Sequence, residues 1–416
     1  MRILYLSQYF PPEAGATQTR AYEMARNLVL LGHRVTILTE FPNHPSGIIP
    51  PEYQHRRYER VELDGIDVIR VWVRASPKKN FQNRMLFYLS YMINAFLAGI
   101  FLARGKYDLI YASSPPLFVG GSALALSKVK RIPLVFEIRD LWPESAIALG
   151  EITSPRAIAW ATWLEEKCYT HAESIVVVTE TTRSRLCERG INSRKIHLIP
   201  NGSNTDLFYY RPDARTKIRT QLGLTHHFIA IYAGILGLAQ GLETVLYAAQ
   251  SLADTPDIHF FIIGEGPRKE ALTDLAANLS LTNLSFLPEK PTREIPDYLS
   301  TADIALIPLR DKETFKSVIP SKMFDAWACQ RPVILSAPDG EASLIVREAQ
   351  AGMVISPDNP PLLAEAVKMM KGSDQLTKMG DNGRIFTTKN YSRQAQATML
   401  ADLLEGIVHI NSTRSS

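Results

Sequence analysis

Tyr232-Ala233-Gly234-Ile235-Leu236-Gly237-Leu238-Ala239-Gln240-Gly241-Leu242-Glu243 closes an apolar run, crosses a glycine-rich loop and opens a helical pattern. Strand, glycine loop, helix is the unit of a parallel α/β sheet, and such a loop suits a diphosphate because bare backbone N–H groups can approach it. Working outward, the same alternation runs through the whole chain. Strands are predicted near Arg2–Gln8, Val35–Thr39, Val68–Val73, Leu109–Ser113, Leu134–Ile138, Ile175–Val178 and His197–Ile199. A second series is predicted near Ile229–Ala233, His259–Ile263, Leu284–Leu287, Ile304–Ile307, Val333–Leu335 and Met353–Ile355. Between the series stands the turn dipeptide Asn201-Gly202 and a polar stretch through Arg211-Pro212-Asp213.

The fold class is therefore α/β, with two Rossmann-like doubly wound domains whose ligand loops face a cleft. The expected domains are residues 1–200, residues 201–388, and a terminal helix with tail over 389–416 that crosses back to the first domain. A chain of 416 residues suits two cores of this size. With 46% hydrophobic and 21% charged residues it is globular, and a net charge of +4 makes nucleic acid an unexpected partner. Three cysteines without CxxC spacing argue against a disulfide framework or zinc site. The opening residues read as a strand rather than a leader, so a cytoplasmic location is expected.

Met85 to Ala103 is 19 residues without a charge. Spanning a bilayer there would split the first sheet, so the stretch is either a buried crossover helix or a surface helix. The neighbouring Arg56, Arg57, Arg60, Arg74, Lys78, Lys79 and Arg84 favour the second, with peripheral contact to the inner membrane surface and a lipid-linked acceptor.

Candidate site residues follow the strand ends. In the first half, Gly15 and Ala16 precede a helix and are either a phosphate loop or a plain connection; GxGxxG is absent, against a dinucleotide dehydrogenase. Arg139, Asp140 and Glu144 surround the end of a strand. Arg139 suits leaving-group charge, and Asp140 or Glu144 an acceptor hydroxyl; salt bridging is the competing role. In the second half, Gly234, Gly237 and Gln240 belong to the diphosphate loop. Gly264 and Gly266 leave backbone bare for a flat base, and Glu289-Lys290 ends the next strand. Ser317 and Ile319 lead to Pro320-Ser321, which reads as a helix start, so Lys322 falls in the first turn beside freed N–H groups. An ammonium there opposes the helix dipole unless an anion is present, and Asp325 one turn on suits a ribose diol.

Pro11-Pro12 with Gly15-Ala16, Arg139-Asp140-Leu141-Trp142-Pro143-Glu144-Ser145, Ile199-Pro200-Asn201-Gly202, Gly264-Glu265-Gly266-Pro267 and Pro320-Ser321-Lys322-x-Phe324 together resemble a retaining family 4 glycosyltransferase of the GT-B fold, from the branch that builds bacterial lipopolysaccharide or capsule. The resemblance implies a nucleotide-sugar donor, most often a UDP-sugar, held mainly by the second domain. It implies no cofactor and no obligatory metal. Where the family carries two glutamates eight apart, this chain has Ser317 and Asp325. Its glycine loop has Leu236 or Gly237 and Gln240 in place of an arginine and a lysine, and Arg139 stands where a histidine is common. The function expected is transfer of a hexose or N-acetylhexosamine from a UDP-sugar to a lipid-linked saccharide. The alternatives are a UDP-sugar 2-epimerase, which needs no acceptor, and a binding-only homologue.

Overall fold

The computed structural model describes residues 1–13, 15–44, 46–78, 80–148, 152 and 154–415; Lys79 of the basic cluster above lies outside them. The chain divides into two compact units, Met1–Pro200 with Gln396–Ser416, and Asn201–Ala395.

In the first unit the strands are β1 (Arg2–Leu6), β2 (Arg34–Glu40), β3 (Tyr58–Leu63), β4 (Ile66–Val71), β5 (Leu109–Ser114), β6 (Leu134–Ile138), β7 (Ser174–Val177) and β8 (Ile196–Leu198). They form one sheet in the order β3-β4-β2-β1-β5-β6-β7-β8, parallel except for β3 against β4. The central strands are buried on both faces, so they read as mostly apolar runs, with Glu137 of β6 the charged exception. Every strand expected from the sequence is present, and β3 is one more. Its residues, YERVEL, are mostly exposed and half of them are charged because it is the edge, which is why an apolar criterion passes over it.

The helices here are α1 (Ala16–Leu30), α2 (Phe81–Phe101), α3 (Phe118–Lys130), α4 (Glu144–Ala148), α5 (Pro155–His171) and α6 (Glu180–Glu188). Helix α2 leans on α3 where glycines let it: a Cβ on Gly99 would run into Leu126, and one on Gly121 into Met92. That contact buries Tyr91, Ala95 and Ala98 and leaves Leu86, Ile93, Leu97 and Phe101 exposed on another face. The helix is long and apolar enough to cross a membrane by length and composition.

The second unit holds β9 (Phe228–Ala233), β10 (Ile258–Ile263), β11 (Leu284–Leu287), β12 (Ile304–Pro308), β13 (Val333–Ser336) and β14 (Gly352–Ile355), all parallel in the order β11-β10-β9-β12-β13-β14. Around them lie α7 (Pro212–Gln221), α8 (Glu243–Ser251), α9 (Lys269–Asn278), α10 (Ile295–Thr301), α11 (Lys322–Ala328), α12 (Glu341–Ala349), α13 (Pro360–Lys371) and α14 (Leu376–Asn390). Finally α15 (Arg393–Ser415) places Ala397, Leu400, Leu404 and Ile407 in the core of the first unit beside Ile3, Tyr5 and Met24. Buried apolar area of this kind is the main stabilising term of both units.

Candidate functional site

In the second unit the loops after β9 and β10 pack on each other. The Leu236 N–H donates to the Glu265 carbonyl at 2.8 Å, and the Arg268 N–H to the Leu236 carbonyl at 3.0 Å. Gly264 and Gly266 have φ of 145° and 156°, and a Cβ on either would overlap the carbonyl of Gly234 or Leu236. Those glycines are thus needed by the loop-to-loop contact itself.

Lys322 rises from the first residue of α11 into the same place. Its Nζ donates to Tyr232 Oη at 2.8 Å, lies 4.2 Å from the centre of that ring, and takes up the space a Cβ on Gly234 would fill. Burial pushes the ammonium down to about 8, while burial holds the Tyr232 phenol up and neutral. The acceptor of this ammonium's hydrogen bond is therefore neutral, and the Asp325 carboxylate one turn on acts on it through space.

The start of α11 differs from expectation in one respect. The N–H groups of Met323 and Phe324 are already taken by the Pro320 and Ser321 carbonyls, so the cation rather than a row of open amides is what this helix end offers. Asp325 lies one turn on, as its spacing requires. Its Oδ1 accepts from Ser203 Oγ at 2.6 Å, and burial raises the group to about 6. It ties Ser203, just after the Asn201-Gly202 turn, to α11. Ser317 hydrogen-bonds to the Thr314 carbonyl in a 3₁₀ turn, and Ile319 is buried.

Gln240 folds back so that its amide oxygen lies where a Cβ on Gly237 would press, and a 3₁₀ turn separates this loop from α8. Glu289 is exposed, and Lys290 lies over the Tyr298 ring at 5.2 Å. Two cations not picked out from the sequence stand past the C-terminal ends of strands in the same sheet. Arg310 donates to the Leu238 carbonyl at 3.1 Å, and Arg268 and Arg310 both grip Glu243, at 2.6 and 2.7 Å. The signal that would have found Arg310 is its place two residues beyond a buried strand.

In the first unit Gly15 precedes α1 with φ 155°, and Ala16 is that helix's first residue. Arg20, on α1 and wholly buried, donates to Glu137 from Nε and Nη2 at 2.9 and 2.8 Å, and to the carbonyls of Pro200 and Ile199. Glu137 also accepts from Tyr111 and Ser113. Burial alone would raise its carboxyl, but Arg20 and then Arg139 outweigh that and keep it below the ordinary value. Arg139 sits just past β6, with its Nε and Nη1 buried and without a hydrogen-bond partner. Two guanidiniums against one carboxylate leave one positive charge in excess. Glu144 is the first residue of α4, where it pairs with Arg185 at 2.9 Å and is 58% exposed. Asp140 is exposed in the loop between β6 and α4.

Residues 15–202 match the family described as "Glycosyl transferase 4-like domain", and residues 214–386 match "Glycosyl transferases group 1". The chain belongs to this family of GT-B glycosyltransferases. WcaI of Escherichia coli K12, named as a colanic acid biosynthesis glycosyl transferase, is 26% identical over 342 residues, covering 81% of this chain and 83% of that one. D-inositol 3-phosphate glycosyltransferase 1 of Catenulispora acidiphila is 27% identical over 376 residues, 86% and 82% of the two chains. Among solved structures, sucrose-phosphate synthase of Thermosynechococcus elongatus superposes with a TM-score of 0.74 at 19% identity, covering 98% of this chain and 99% of that one. HepE of Anabaena, solved with UDP-glucose, gives 0.72 at 16%, covering 98% and 100%. The fold is that of GT-B glycosyltransferases, two Rossmann-like domains with parallel sheets.

Proposed function

We propose that this glycosyltransferase moves a hexose or N-acetylhexosamine from a UDP-sugar to a lipid-linked saccharide, with retention and without a metal, in the synthesis of a cell-surface polysaccharide. The observation that carries the reading is the Lys322 ammonium, set against Gly234 at the end of β9 with only a neutral phenol as its hydrogen-bond acceptor. A fixed cation in a desolvated loop cradle is what a departing diphosphate requires. The loops at Gly234–Gln240 and Gly264–Gly266 would hold the donor, with Arg310 as a second cation. In the transfer the bond from anomeric carbon to diphosphate breaks and a bond to an acceptor oxygen forms. The acceptor proton leaves with the nucleoside diphosphate or passes to a base. Arg139 and Asp140 in the first unit are assigned to leaving-group charge and acceptor orientation. HepE, solved with UDP-glucose, supports the choice of donor class, and WcaI the polysaccharide setting.

Purified protein given a panel of nucleotide sugars is expected to release UDP from one of them only when a lipid-extract acceptor is added. Release without acceptor would replace this reading with epimerase or hydrolase chemistry, and tight UDP binding with no release from any donor would leave a binding protein.

The exposed face of α2 is assigned to the inner membrane surface, with Arg74, Lys78 and Arg84 near it; Arg56 and Arg60 contribute less, because Glu59 and Asp67 already pair with them. Ile93→Ser with Leu97→Ser is expected to weaken binding to phosphatidylglycerol vesicles about tenfold, the effect of losing two half-buried apolar side chains. Equal sedimentation of variant and parent with vesicles would return α2 to the role of an ordinary surface helix.

A further inference from the structure

Tyr232 stands one residue before the end of β9, with its ring fully buried in an apolar cluster that includes Ala230, Leu236, Leu242 and Ile262. A phenylalanine would fill that space equally well, and a buried hydroxyl costs free energy unless it is hydrogen-bonded. Here the hydroxyl is bonded in both senses. Oη donates to the Ile235 carbonyl at 2.6 Å and accepts from Lys322 Nζ at 2.8 Å, with the ammonium 4.2 Å from the ring centre. One oxygen thus joins the end of β9, the glycine loop that follows it and the first residue of α11.

Gly234 closes the same point from another side. At φ 149° it disfavours any side chain, and a Cβ there would stand 2.5 Å from Lys322 Nζ and 3.4 Å from Tyr232 Oη. The Gly234 N–H is in turn held by the Ile263 carbonyl at 2.9 Å, and a Cβ on Gly264 would overlap the Gly234 carbonyl. A lysine stem has many rotamers, and they must be frozen to keep its charge in one place. Tyr232 restricts them before any donor arrives, through a hydrogen bond to the charged form and a ring face beside it. Asp325, the charged group acting on the ammonium from one turn along α11, has its own Oδ1 occupied by Ser203 Oγ.

We propose that Tyr232 is a positioning residue for sugar transfer, whose hydroxyl fixes the Lys322 ammonium and the turn at Ile235 as one unit, set in advance for the departing diphosphate. The assignment rests on the sugar-transfer reading, in which Lys322 is the cation that meets that diphosphate.

The test is calorimetric titration of the full chain with UDP, which carries the complete charge of the departed group, from pH 6.5 to 9.5. Tyr232→Phe keeps the ring and its packing and removes only Oη. An ammonium without its hydrogen-bond acceptor loses its proton more easily, while Asp325 acts on it as before. The fall in UDP affinity with rising pH is therefore expected to begin about one pH unit lower than in the parent. At pH 8 the variant is expected to bind UDP about tenfold more weakly. In a Lys322→Ala background the same Tyr232→Phe change is expected to alter UDP affinity less than about twofold, because the group it positions is gone. Full loss in that background would confine the hydroxyl's effect to the Ile235 turn and overturn the assignment. A Tyr232→Phe protein with the parent's pH dependence would also overturn it, and an impaired Lys322→Ala would leave the reading of Lys322 standing. Parent-like UDP binding by Lys322→Ala strikes that reading itself, and the Tyr232 assignment with it.

Discussion

Lys322→Ala lowers sugar-transfer turnover by about 10²- to 10³-fold, the loss that follows removal of one preorganised group facing developing charge. The expectation comes from position. The ammonium is buried against Tyr232 and Gly234, where low dielectric makes its interaction with a diphosphate stronger than any surface lysine could provide. Its titration adds a second readout. Burial lowers the free protein's Lys322 to about 8, and a bound diphosphate favours the charged form. UDP affinity is therefore full below about pH 8 and falls, by up to tenfold per pH unit, as the pH rises beyond it. Lys322→Arg keeps its charge throughout and is expected to flatten that fall. Binding titrations from pH 7 to 9.5 check both, and parent turnover in the alanine variant would remove Lys322 from the reaction.

Glu137→Gln is the substitution with the largest expected cost in stability, about 3–5 kcal/mol. It leaves Arg20, fully buried, facing an amide, and it removes the negative charge that balances Arg139. Tyr111 and Ser113 would lose a charged acceptor as well. The effect should be confined to the first unit, which holds Trp72, Trp142, Trp160 and Trp163, so tryptophan fluorescence in a urea titration reports mainly on it. A midpoint equal to the parent's would show that the two guanidiniums are solvated well enough without their carboxylate. UDP binding by the second unit is the control expected to stay unchanged.

Much of the fold was legible because parallel strands are buried on both faces. Leu134–Ile138 and Ile258–Ile263 are apolar but for Glu137 and His259, and loops rich in turn residues follow them, so strand, loop and helix can be read in turn. The edge strand Tyr58–Leu63 escaped the same reading, since an exposed edge has no reason to be apolar. At the site, Lys322 was legible from its odd place at a helix start. Arg310 and Arg20 were not. Each is an arginine whose partner stands far along the chain, Glu243 for one and Glu137 for the other, and spacing carries no trace of such pairs. Glu144 is a third case, since its partner Arg185 lies 41 residues further along the chain.

The sequence by itself determined two α/β units, the boundary turn at Asn201-Gly202, the glycine loops and the family, because backbone periodicity and glycine placement are local properties. Only the tertiary structure decided which charges are neutralised. Asp325 turns to Ser203, Arg60 to Asp67, and the Lys322 ammonium to a neutral phenol, and none of these choices is written in neighbouring residues. Burial and distance set the strength of a charge, and both exist only once the chain has folded.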